Sequence, residues 1–126
     1  MSDPTPAMRA VTYERDGHRC VSCGALRGLQ YQHRAVEGMG GRKARPLFVE
    51  GVTSCADCNP AYEGKLQHAA LKFGWKIPTW VRDRGLAGEV PVYFAWERRW
   101  CRLTDEAVRV PIGWEEAVAM MRAVYG

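Results

Sequence analysis

Two identical Cys-x-x-Cys pairs constrain this chain more than any other feature. Cys20 and Cys23 form the first and Cys55 and Cys58 the second, with 31 residues between them, while Cys101 stands apart. A two-residue spacing lets both thiolates of a tight turn face one centre, and two such turns supply the four soft ligands of a tetrahedral structural zinc site. The segment between the pairs is longer than the roughly 15 to 20 residues of a plain zinc ribbon, so a further folded element is expected there.

Composition supports that reading of the cysteines. The first ten residues carry prolines and polar side chains where a leader would need an apolar stretch, and no apolar run is long enough to span a membrane. A soluble, cytoplasmic protein with no membrane partner is expected, in a reducing compartment where paired cysteines bind metal rather than form disulfides. With 126 residues, 47% of them apolar and 25% charged, the chain suits a single domain over 1–126 with one modest core. Collagen-like, low-complexity and disordered classes are excluded.

The formal charge is +4, and four thiolates around one zinc ion would lower it by two. A total that small does not argue for nucleic-acid binding, so the distribution matters more. Fourteen of the 18 basic residues are arginine, the side chain suited to bidentate phosphate contacts. From Arg27 to Arg45 five basic residues, Arg27, Arg34, Arg42, Lys43 and Arg45, stand against one acidic residue, Glu37.

Periodicity predicts a short helix over 7–15 with Met8 and Val11 on one side, then a strand over 29–35 with Leu29, Tyr31 and His33 on one face. A loop rich in glycine and arginine follows over 37–46, and a return strand over 47–53. A helix over 59–73 is expected after the second pair, with Asn59 as cap, Pro60 at its first position and Gly74 past its end. Its inward stripe reads Tyr62, Leu66, Ala69 or Ala70, and Phe73. Glu63 lies one turn beyond Asn59, whereas His68 points away and reads as a surface residue. Pro78 and residues 82–85 read as a connector, 90–96 and 100–103 as a hairpin, and 112–125 as a helix with Trp114, Val118, Met121 and Tyr125 inward. Cys101 shares a strand face with Leu103 and reads as a buried thiol.

Three segments together carry a family resemblance: Arg15-Asp16-Gly17-His18-Arg19-Cys20-Val21-Ser22-Cys23-Gly24, then Gln32-His33-Arg34 with Gly38-Met39-Gly40-Gly41, then Cys55-Ala56-Asp57-Cys58-Asn59. This resembles the zinc-bearing HNH endonucleases of the His-Me finger superfamily, especially the small HNH proteins of tailed bacteriophages of actinobacteria. The resemblance implies an α+β fold with a zinc-stabilised ββα-metal core over 16–75 and a C-terminal β-hairpin and helix over 76–126. It also implies hydrolysis of DNA phosphodiester bonds, with His33 as general base and Asn59 and Glu63 beside it. Gln32, Asn59 and Glu63 would hold a catalytic Mg2+ or Mn2+, and Cys20, Cys23, Cys55 and Cys58 the structural Zn2+. Arg34, Arg42, Lys43 and Arg45 would contact the DNA backbone, and phage packaging proteins are further partners that the family suggests.

The sequence departs from the family pattern at Gln32, where Asp, His or Asn is usual, and at Glu50, where an asparagine is expected. Two amides hold magnesium weakly, so catalysis would need Glu63 or Glu50 to reach the ion. Strict alternation turns Gln32 away from His33, so the strand must end or bulge there for both to serve one site. The alternatives are an HNH-like zinc protein that binds DNA or a protein partner without cleavage, and a zinc-ribbon interaction module.

Overall fold

The computed structural model describes residues 3–36 and 44–126. Arg42 and Lys43, with the glycines at 38, 40 and 41, lie outside the described residues. Helix α1, Pro6–Arg15, begins where the Thr5 hydroxyl accepts from the Met8 amide at 3.1 Å and Pro6 takes a first-turn position that needs no donor. Its buried residues are Thr12 and Arg15 rather than the expected Met8 and Val11, because the helix docks through polar bonds to the strand behind it. Strands β1, Leu29–His33, and β2, Gly51–Cys55, pair antiparallel with Leu29 opposite Cys55 and His33 opposite Gly51. Both are shorter than expected, and residues Phe48–Glu50 form a 3₁₀ turn instead of the start of the return strand.

The long helix expected after the second cysteine pair is two short ones, α2, Cys58–Ala61, and α3, Gln67–Lys72. Gly64 sits in the break. The Leu66 amide there reaches the Ala61 carbonyl at 2.8 Å, five residues back, and glycine's backbone freedom disfavours a continuous helix. Helix α2 starts at Cys58 with Asp57 at its boundary, so Asn59 lies inside it rather than capping it. The inward stripe survives the break: Tyr62 and Ala70 are buried, and Leu66, Ala69 and Phe73 pack on the core. Gly74 follows with φ +76°, and a side chain there would collide with the Pro91 carbonyl.

Residues read as a connector contain helix α4, Thr79–Asp83. The expected hairpin is part of a three-stranded sheet, ordered β3, Val92–Phe94, β4, Arg99–Leu103, and β5, Arg109–Ile112. Pro111 is tolerated in β5 because that strand lies at the sheet edge. Helix α5, Trp114–Tyr125, faces inward through Ala117, Met121 and Val124 rather than through Trp114 and Tyr125, which are 66% and 40% exposed.

One apolar cluster runs through both sheets, from Val21 and Val52 through Tyr62, Trp75 and Val81 to Phe94, Cys101 and Leu103. Val21 ties the halves together: its amide donates to Thr53 O at 3.0 Å, and its carbonyl accepts from the Ala95 amide at 2.9 Å. The fold is thus a mixed α+β arrangement of two small sheets and short helices. No described helix is long and apolar enough to cross a membrane.

Candidate functional site: a four-cysteine cluster beside a polar cavity

The first cysteine pair sits on a turn in which the Gly24 amide donates to Cys20 O at 2.8 Å and the Cys20 amide to Ala25 O at 2.9 Å. Gly24 has φ +78° and packs on Trp96, where a side chain would clash. The second pair joins the end of β2 to the start of α2, and the Cys58 amide donates to Cys55 Sγ at 3.4 Å. The four Sγ atoms all lie within 4.8 Å of one another, and Cys23 Sγ is 3.7 Å from Cys55 Sγ. Zinc–sulfur bonds of about 2.3 Å in a tetrahedron require sulfur separations of about 3.8 Å, so these residues fit a metal ion such as zinc.

Ionisation is uneven among these thiols. Burial raises Cys20, but hydrogen bonds from the Ser22 side chain and from the backbone of Ser22, Cys23 and Cys55 outweigh it and bring it to about 7. Burial, ahead of the charge on Cys20, pushes both Cys23 and Cys58 up. A divalent ion among them reverses that repulsion, since coordinated thiols are deprotonated outright. Ser22 also hydrogen-bonds the Tyr62 hydroxyl at 2.7 Å, which links the cluster to the core.

Beside the cluster, the end of β1 opens onto a cavity of about 270 Å³ lined by Tyr31, Gln32, His33, Val36, Asn59, Glu63 and Lys76, with Ala35. Gln32, His33, Asn59 and Glu63, which sequence reading singled out separately, are brought together here. The strand pairs without a bulge and ends at His33, and the Gln32 amide folds over that end to donate to His33 O at 2.7 Å. The Tyr31 ring meets the His33 ring edge-on, with centroids 5.1 Å apart at 77°. Tyr31 needs the bare backbone of Gly51, where any side chain would overlap its phenol. Asn59 Nδ2 donates to Gln30 Oε1 at 2.7 Å, fixing the amide across from the strand.

Lys76 was not foreseen. Its side chain is 9% exposed, and its Nζ lies 3.1 Å from His33 O and 3.2 Å from Glu63 Oε1. The available signal was a lone lysine between Trp75 and Ile77, both buried, directly after the glycine at the end of α3.

The basic residues assigned to DNA divide. Arg34 is fully buried, which corrects its assignment as a backbone contact. Its guanidinium donates to Gly74 O at 2.9 Å, Val49 O at 2.8 Å, Ala87 O at 2.9 Å and Val90 O at 2.8 Å. The chain turns inward immediately after the strand end, and a planar fork with five donors matches that ring of carbonyls. Burial, followed by the charge of Arg15, pushes its pKa down to about 9, so it stays charged at neutral pH. Arg45 is exposed and donates to Asp3 O at 2.6 Å.

Glu50 is buried, accepts from the Leu47 amide at 3.0 Å and does not line the cavity. A second polar staple, also unforeseen, is the buried Arg15–Asp16 pair at 2.8 Å. Arg15 donates to Phe48 O and Gly51 O, and Asp16 accepts from the Thr53 amide.

The cavity's donors suit magnesium poorly. Magnesium is ordinarily held by one or two carboxylates with phosphate oxygens and water, whereas here, among the described residues, the one carboxylate lining the cavity, Glu63, is paired with an ammonium, and the other donors are two amides, an imidazole and a phenol. Among the described residues the four cysteines form the one cluster of three or more His, Cys, Asp and Glu side chains close enough to share an ion. Compared with protein-family models, curated proteins and solved structures, the chain matches none.

Proposed function

We propose that this protein is a small HNH-type phosphodiester hydrolase acting on DNA, built as a ββα unit braced by zinc at Cys20, Cys23, Cys55 and Cys58. One observation carries the reading. Gln32, His33, Asn59 and Glu63 line a single polar cavity where β1 ends and the connection to β2 begins, and β2 and the helix after it also hold a cysteine pair.

In this reading His33 takes a proton from the attacking water. A neutral imidazole can do so near pH 7, and the edge contact with Tyr31 fixes its ring plane. Its backbone is held by Gln32 and Lys76 together, so the base sits on a strand end that cannot fray easily. Asn59, tied to Gln30, lines the cavity and would offer its amide to a polar substrate group. Exposed Arg45 and the basic residues Arg42 and Lys43, which lie outside the described residues, supply positive charge along the chain that follows His33.

The direct test incubates zinc-loaded protein with supercoiled plasmid under three conditions: no added divalent ion, magnesium, and manganese. Conversion to open-circular DNA is expected in at least one of them. A plasmid left supercoiled in all three refutes the hydrolase reading. The pairing of Lys76 with Glu63, the only carboxylate lining the cavity among the described residues, favours a second reading, an HNH-like zinc protein that binds DNA without cutting it. Under that reading, binding persists without nicking and weakens steeply with salt.

A further inference from the structure

The charged pair in the cavity is mechanically lopsided. Lys76 is anchored: its stem is buried, its neighbours Trp75 and Ile77 are core residues, and its ammonium is held by the His33 carbonyl at 3.1 Å. Glu63 is not anchored in the same way. Its side chain is 56% exposed, it stands in the break between α2 and α3, and Gly64 follows it. An ion pair that open contributes little, so the carboxylate can leave at small cost while the cation stays. An ammonium has three donors, and two have acceptors among the described residues, one of them the replaceable Glu63.

Accepting the phosphodiester reading of the cavity, we infer that Lys76 is its built-in cation. A non-bridging phosphate oxygen replaces Glu63 on Lys76 Nζ, so the cavity binds a phosphodiester without a divalent ion, and Glu63 acts as a displaceable stand-in for that anion. The His33 carbonyl then holds the bound phosphate and the imidazole in one frame, since the same residue supports both. This accounts for a lysine where the family resemblance would put a metal ion, and for the poor donor set around it.

The test is a binding titration followed by amide and imidazole NMR shifts, using the thymidine dinucleotide TpT as a minimal phosphodiester and zinc-loaded protein with no magnesium present. Wild-type protein is expected to show saturable shifts at 31–36, 59–63 and 76. Lys76→Met should weaken binding by about tenfold or more, the loss of one charge-assisted contact, and Lys76→Arg should restore most of it. Glu63→Gln should tighten binding severalfold by removing the competing carboxylate. Equal binding by Lys76→Met, or wild-type binding that appears only after magnesium is added, overturns the inference. Should Lys76→Met fail to fold, Glu63→Gln decides alone, and unchanged or weaker binding by it overturns the proposal. Cleavage plays no part in this readout: a protein that binds TpT as described yet never nicks plasmid retires the hydrolase reading and leaves the Lys76 assignment standing.

Discussion

The cysteine cluster and Arg34 on one side, and the His33 cavity on the other, are built from similar polar material to opposite ends. Around Arg34 four carbonyls converge on one guanidinium with no exposure to solvent, and around the cluster four thiols converge within one ion's reach. In the cavity buried and exposed polar groups meet, and two of the pairs they form can be exchanged: exposed Glu63 with buried Lys76, and Asn59 with Gln30. The first arrangement holds residues distant in sequence in fixed places, and the second leaves capacity to bind something else. Substitutions in the frame should therefore cost stability, and substitutions in the cavity should cost ligand binding or chemistry.

The largest effect is expected from metal removal. A structural zinc contributes on the order of 10 kcal/mol of folding free energy, so a strong chelator, or Cys58→Ser, should abolish the cooperative thermal transition seen by circular dichroism. An unchanged transition in zinc-free protein would break the comparison at its first term. Arg34→Met comes next. It leaves four buried carbonyls without their donor, and a loss of about 3 to 5 kcal/mol is expected in urea unfolding. Arg34→Lys should recover only part, since three donors cannot satisfy four acceptors in a planar ring.

A smaller and pH-dependent effect belongs to Cys101. Burial, partly opposed by Arg109, raises its thiol above the ordinary value of 9.0. The unfolded chain therefore releases this proton first as pH climbs past 9, and stability falls above that point by at most about 1.4 kcal/mol per pH unit. Cys101→Ala removes this contribution, so the stability gap between wild type and variant should narrow from pH 8 to pH 10. A constant gap would contradict the shift. The smallest effect is expected from Trp114→Ala, within about 0.5 kcal/mol, because the indole lies on the solvent side of α5.

Much of the frame was legible in the sequence because its signals are local. Cysteine spacing announced the cluster, alternation announced β1, and Gly74 marked the end of a helix. His33, Asn59 and Glu63 were each legible as polar residues at strand or helix ends, but the expected Asn59 cap was wrong, since the helix begins at Cys58, two residues before Pro60. What escaped is non-local. Arg34 reads as one more basic residue beside a loop, and nothing near it in sequence shows that carbonyls from 49, 74, 87 and 90 will surround it. Lys76 and Glu63 stand thirteen positions apart and meet only because the helix between them breaks at Gly64. Trp114 opens an apolar stripe by spacing, but the face that packs is set by where β4 lies, and that face carries Ala117, Met121 and Val124.

The measurement that bears most directly on the division between frame and cavity is a paired one, wild type against His33→Ala, with zinc content, thermal transition and plasmid nicking read on the same preparations. The account predicts equal zinc, stability within about 1 kcal/mol, and a nicking rate lowered at least about 100-fold, the usual contribution of a positioned general base. Equal nicking by His33→Ala, or loss of zinc and fold on making that substitution, would contradict it.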